Sequence, residues 1–233
     1  MLRIKAVFID LDGTLGYYEH GDLAEVVGKM YANWLSKEFG VDYQQTLSVL
    51  LNAVKIVKTK PSLDKSVAQQ ILENLSWELR IPIEDLDNAT DIFYKQKFVQ
   101  IRENYKARKG AKEAIEYLFE KGYKVVIATD PIIKRFGVLK RLEWIGLLEY
   151  PYCFVTSAEV CRAAKPHQIY YLDLLEVCKV KPHEAVMIGD KLENDIIPAK
   201  RLGLYTIHLG REMKENKAAD HVIEEIEDII NIL

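Results

Sequence analysis

Apolar positions along the chain follow two regimes. Ala6 to Ile9 is a short unbroken apolar run, rich in β-branched and aromatic side chains, closed by Asp10-Leu11-Asp12-Gly13-Thr14. A run of this length bounded by a glycine turn predicts a strand buried in a parallel sheet. From Leu23 to Tyr105 the spacing becomes helical. Val26, Val27, Met30, Tyr31, Trp34 and Leu35 share one face of a helix that Gly40 stops. Asp42 is placed to cap a second helix through Leu47, Leu50, Leu51, Val54 and Val57. Lys60-Pro61 breaks it, and Ser62 or Asp64 starts a third through Val67, Ile71, Leu72 and Leu75. Pro82 stands near the first turn of a fourth, which breaks and resumes before Tyr105. Helices joined this closely make a small bundle.

From Gly110 the two patterns alternate. A helix through Ala114, Ile115 and Leu118 is followed by a strand at Lys124 to Ala128 and a helix through Ile133, Val138 and Leu142. A short strand at Tyr152 to Val155 precedes a helix opened by Lys165-Pro166. Then come a strand at Ala185 to Ile188, a helix from Asp195 to Leu202, a strand at Leu204 to Leu209, and a tail with a short strand and a closing helix. Strands alternating with helices of this length predict an α/β, Rossmann-like parallel sheet covered on both faces. The first strand then pairs with strands far later in the chain. Residues 1–16 and 106–233 are expected to form this core, and residues 17–105 a helical cap inserted above the carboxyl end of the sheet.

Composition narrows the class. Of 233 residues, 49% are apolar and 29% charged, which suits a soluble globular protein. The formal net charge of −3 gives no footprint for nucleic acid, and no apolar run is long enough to span a membrane. The first residues run straight into a strand, so no secretory leader is expected. Three cysteines, Cys153, Cys161 and Cys178, are odd in number and lack CxxC spacing. Neither a disulfide framework nor a zinc site is expected, and a cytoplasmic location fits. Oligomeric state is left open between a monomer and a homodimer.

Four stretches that carry chemistry fall at strand ends or helix starts on one side of the sheet, where open α/β folds bind ligands. They are Asp10 to Thr14, Ala128-Thr129-Asp130, Lys165-Pro166, and Gly189-Asp190 through Asp195. Carboxylates gathered there repel one another unless a cation intervenes. Magnesium is the hard cation held by a few carboxylates together with a substrate phosphate. Lys165 adds a positive charge and Thr129 a hydroxyl. The Asp12–Thr14 amides are candidates for an anion-binding nest. A phosphoryl group held here would lie beside a carboxylate able to attack it.

This set resembles the haloacid dehalogenase superfamily in its phosphatase branch, with the helical cap of the phosphoglycolate-phosphatase type. The family's DxDGT stands at Asp10 to Thr14, its motif-two hydroxyl at Thr129, its motif-three lysine at Lys165 and its motif-four acids at Asp190 and Asp195. The resemblance implies a phosphoric monoester hydrolase acting on a small phosphorylated metabolite. Asp10 would be nucleophile and magnesium ligand, and Asp12 the general acid and base with its backbone carbonyl on the metal. Asp190 would be the third ligand, with Asp195 supporting it or Lys165. Thr129 and Lys165 would hold the phosphoryl oxygens, with Asp130, Gly13 and Thr14 among the substrate-binding positions. Asp12 argues against dehalogenation, since true dehalogenases lack this second acid. A phosphomutase on the same scaffold and a non-catalytic phosphate-binding module are the alternatives.

Asp130 stands where related phosphatases often carry Asn, and is expected to cap the Pro131 helix. Tyr17, Tyr18, Glu19 and His20 are either substrate contacts or linker. Lys55 to Lys60 reads as a solvated helix end. Trp34 and Trp77 are expected in the bundle core, and His167 in a structural role at a helix start.

Overall fold

The structure, a computed structural model, describes residues 4–210 and 218–233. Strand β1 (Ala6–Ile9) leads through the Asp10 turn to β2 (Gly16–Tyr18). Four helices follow: α1 (Leu23–Phe39), α2 (Tyr43–Thr59), α3 (Val67–Leu79) and α4 (Ile83–Gln96). A 3-10 turn at Phe98–Asn104 leads to β3 (Tyr105–Ala107). The rest alternates as α5 (Ala111–Glu120), β4 (Lys124–Ile127), α6 (Arg135–Trp144), β5 (Phe154–Val155), α7 (Gln168–Cys178) and β6 (Ala185–Gly189). A π-helical turn at Leu192–Ile196, α8 (Ile197–Arg201), β7 (Tyr205–Leu209), β8 (His221–Ile223) and a 3-10 turn at Ile226–Asn231 complete the chain.

The main sheet has the order β5-β4-β1-β6-β7-β8, with every pair parallel. β1 pairs with β4 on one side and β6 on the other, Ile9 lying opposite both Ile127 and Ile188. This explains its unbroken apolar run: Ala6 to Ile9 are fully buried. The connection leaving β1 runs to one side and that leaving β6 to the other. The crevice at the carboxyl ends therefore opens between β1 and β6, where Asp10 and Asp190 stand.

The helices start where polar side chains can accept their free amides. Asp22 accepts from the Glu25 amide at 3.1 Å, and Asp42 from the Gln45 amide at 2.8 Å. The third helix begins later than Ser62 or Asp64. Ser66 and Gln69 form a reciprocal capping box, and the amide of Ser62 is held instead by the Gln70 side chain at 2.7 Å. α6 begins after Ile133, because that residue's carbonyl accepts from the Ala158 amide at 3.0 Å. The predicted strand at 152–155 shortens to its last two residues.

β2 and β3, which the spacing did not announce, pair antiparallel where the chain leaves and re-enters the sheet domain. Trp77 is 82% exposed, outside the bundle core expected for it, whereas the Trp34 indole donates to the Ala89 carbonyl at 3.0 Å. All three cysteines are free, and the sulfurs of Cys153 and Cys178 lie 3.4 Å apart. Among the described residues no helix is long and apolar enough to cross a membrane.

Candidate active site

The Asp10 turn forms the floor of a cavity of about 460 Å³. Its wall includes Asp10, Asp12, Gly13, Thr129, Asp130, Lys165, Asp190 and Asp195, so strand ends distant in sequence converge there. Tyr17 and Tyr18 also line it, whereas Glu19 pairs with Lys106 at 3.8 Å and His20 with Asn104 at 3.2 Å.

Asp10 is 6% exposed and its amide donates to the Ile188 carbonyl, which fixes it to the end of the sheet. One of its oxygens accepts from Lys165 Nζ at 2.8 Å and the other from the Thr14 hydroxyl at 3.3 Å. Lys165, 1% exposed, also donates to Asp195 Oδ1 at 2.6 Å. Asp195 Oδ2 accepts from the Lys191 amide at 3.1 Å, so both of its oxygens have partners. His167 caps α7 through its ring, the structural role expected of it.

Carboxylate oxygens of Asp10, Asp190 and Asp195 lie within 4.8 Å of one another. Burial first, then the charges of Asp195 and Asp190, hold the Asp10 carboxyl well above its usual range, although Lys165 pulls it down. Burial and the neighbouring Asp195 push Asp190 up to about 6. Burial opposes the charge on Lys165, but Asp10 and Asp195 outweigh it and hold its pKa well above the ordinary value. One lysine thus faces three acids. Asp190 Oδ1 is buried without a hydrogen-bond partner. Such a set fits a divalent cation, which would relieve the repulsion and occupy the orphaned oxygen.

Gly13 is required by geometry. Its φ is +96°, and a Cβ there would stand 2.2 Å from Asp190 Oδ2. Any side chain would displace the carboxylate that meets Asp10. Two amides of the anion nest expected from the sequence are already engaged within the turn. The Gly13 amide donates to the Gly16 carbonyl at 2.7 Å and the Thr14 amide to the Leu11 carbonyl at 3.3 Å. Their hydrogens close the turn on itself.

The side chain of Asp12 turns away from the acid cluster. It accepts from Tyr105 Oη at 2.8 Å and from Arg141 Nη1, with Thr129 Oγ1 at 3.5 Å. Arg141 is fully buried in α6 and its Nε donates to the Gly137 carbonyl at 3.2 Å. Burial disfavours its charge, yet Asp12 and Tyr105 raise its pKa and keep it cationic. Burial and the Asp12 charge hold the Tyr105 hydroxyl well above its usual range, so it remains a donor. Arg108 Nη2 donates to the Gly13 carbonyl from the same side. None of these three was singled out in the sequence. Arg141 had a signal: it lies three residues from Val138 and beside Leu142, on the buried face of its helix.

Asp130 does not cap a helix. It pairs with Lys58 of α2, across the cleft, and its Oδ1 is buried without a partner. Lys58 therefore leaves the solvated helix end expected for it and lines the cavity. Lys191 reaches Asp22 of the first helix cap at 2.7 Å.

The sequence matches the family described as haloacid dehalogenase-like hydrolase over residues 4–203. It is 29% identical to glyceraldehyde 3-phosphate phosphatase of Pyrococcus furiosus, covering 100% of this chain and 94% of that one. The protein of the same name from Methanocaldococcus jannaschii is 24% identical, covering 99% and 97%. Among solved structures, a HAD phosphatase from Thermococcus onnurineus superimposes with a TM-score of 0.61 at 22% identity, covering 98% and 97%. The converging acids, the buried lysine and a match spanning sheet and helices together lead to one statement: the chain belongs to the haloacid dehalogenase-like hydrolases.

Proposed function

We propose that the protein is a magnesium-dependent phosphatase that hydrolyses a small phosphorylated metabolite through an aspartyl-phosphate on Asp10. The observation that carries this reading is the Asp10 carboxylate, buried at the floor of the cavity with Lys165 on one oxygen and the second oxygen lightly held by Thr14. The relatives named as glyceraldehyde 3-phosphate phosphatases support a small phosphorylated substrate.

Asp10 attacks phosphorus, a P–O bond to its carboxylate forms, and the bond to the substrate alcohol breaks. Asp12, which takes up a proton from solvent as the substrate binds, gives it to the departing oxygen. A water then attacks phosphorus, gives its proton to Asp12, and releases inorganic phosphate with Asp10 restored. Lys165 and Thr129 hold phosphoryl oxygens, and Lys165 keeps Asp10 aimed. A magnesium ion held by Asp10, Asp190 and the Asp12 carbonyl would supply the charge that lets an anionic phosphoryl group approach these acids. Asp195 orients Lys165. Arg141 and Tyr105 position Asp12 rather than touch the substrate. Residues 17–105 act as a cap that excludes water from the cleft.

The test is phosphate release from an aryl phosphate and from a panel of phosphorylated metabolites. Asp10→Asn is expected to abolish turnover, and a chelator to abolish it reversibly on magnesium addition. Turnover surviving Asp10→Asn removes the nucleophile from the reading. An isomerised sugar phosphate without free phosphate would replace hydrolysis with a mutase reaction.

A further inference from the structure

A second cavity, about 310 Å³, lies among α1, α2, α3 and α4 beside the cleft. Ala24, Lys58, Ile132 and Ile133 line both spaces, so the two are adjacent and share one wall. Its volume falls within the range of about 300–1,000 Å³ typical of small-molecule sites. The wall is made by apolar side chains such as Val27, Leu50, Val54 and Ile71. Leu51, 58% exposed, stands on the wall at the solvent side.

The polar groups at this wall are already engaged. Tyr31 Oη and Thr90 Oγ1 pair at 2.6 Å, and Thr90 donates to the Leu86 carbonyl. The Tyr94 hydroxyl accepts from the Lys134 amide at 3.2 Å, and the Lys134 ammonium is held by Asp87 and Asp91. Lys58 is paired with Asp130. Of the buried oxygens left without partners among the described residues, those on Asp130 and Asp190 lie on the catalytic cleft, and those on Asn74 and Ser157 line neither cavity. A sugar-like hydroxyl in this cavity would lose water and find few replacements.

Gly28 adds an independent observation. It sits in the middle of α1 and on the cavity wall, and a Cβ there would meet nothing within 4 Å. Glycine inside a helix is about 1 kcal/mol less favourable than alanine. Packing does not demand it here, and a side chain at this point of the wall would enter open space.

Resting on the phosphatase reading, we propose that this cavity receives the apolar body of the substrate's alcohol. The preferred substrates are then phosphate monoesters of apolar alcohols, with the phosphoryl group over Asp10 and the hydrocarbon passing between Lys58 and Ile133 into the helices. A triose phosphate would fill the cleft and leave the cavity empty.

The n-alkyl phosphates from ethyl to octyl test this, because they share one leaving-group chemistry and differ only in hydrocarbon. With magnesium present, kcat/KM should rise about fourfold per methylene until the cavity fills, the equivalent of about 0.8 kcal/mol per buried CH₂. Gly28→Leu, a better helix former that projects into the space, should flatten the series. Ala68→Leu, on the facing wall, is a second block. A flat wild-type series with phosphate released from every ester overturns the inference and leaves the phosphatase standing. A steep series untouched by both substitutions overturns the assignment to this cavity. No release from any alkyl ester, with phosphate still released from the metabolite panel, also overturns the inference and leaves the phosphatase standing; no release from either set removes both readings.

Discussion

Asp12 receives donors from two distant parts of the chain, Tyr105 from the returning strand β3 and Arg141 from α6. A carboxylate held this way has a fixed place on the wall of the cleft, and in the proposed reaction it serves the departing alcohol oxygen. General acid and base catalysis contributes about 10²–10⁴-fold. Arg141→Lys should therefore lower kcat/KM for an alkyl phosphate by about ten- to a hundredfold, a part of that contribution. With 2,4-dinitrophenyl phosphate, whose phenolate leaves without a proton, kcat/KM should change little. Steady-state kinetics on the two esters makes the comparison, and equal losses would assign Arg141 a purely structural role. Asp10, Lys165 and Asp190 were legible because each combines a chemically committed side chain with a strand end or helix start. Tyr105 gave no such sign, since its partner lies 93 residues away and only the fold joins them.

The start of α3 binds the helical segment to the core. The amides of Val67 and Ala68 donate to the carbonyls of Cys161 and Ala158, each at 2.7 Å. Gln70, one turn on, donates to the carbonyls of Ser62, Lys65 and Arg162 and accepts from the Ser62 amide. One side chain thus organises the loop before the helix and fastens it across the interface. Gln70→Ala should reduce stability by about 1–3 kcal/mol, since part-buried partners are left unpaired. Urea unfolding should show a lower midpoint at unchanged slope, and a larger loss than Gln69→Ala, which removes only half of the capping box. Helix spans were legible from apolar spacing to within a turn. The start of α3 was not, because Ser62, Asp64 and Ser66 all offer capping oxygens. The choice falls to Ser66, with Gln69 three residues on. β2 and β3 were hidden for another reason: a three-residue pairing is too short to show alternation.

At the scale of the molecule, the order of strands places Asp10 and Asp190 at the crevice between β1 and β6, with Asp130 after the neighbouring β4. The sequence placed these strand ends on one side of a parallel sheet, but not the strand order that sets them around the crevice, because pairing partners far apart in the chain leave no local pattern. The contacts that cross the cleft, Lys58 to Asp130 and Lys191 to Asp22, were not legible either. They join helices to core at positions that appear on their own as solvent-facing charges.

The ribbon formed by β2 and β3 has a bearing on how the chain reaches its native state. β1 must find β4, with the whole run of helices between them, and closing a long flexible loop is entropically unfavourable. The ribbon sets the two ends of that run side by side, Gly16 opposite Ala107. Once the helices have formed from their own local contacts, the loop that remains to be closed is short. We expect helix to appear before sheet in refolding, with pulse-labelled exchange protecting α1 to α4 ahead of β1; protection of β1 amides first would reverse that order.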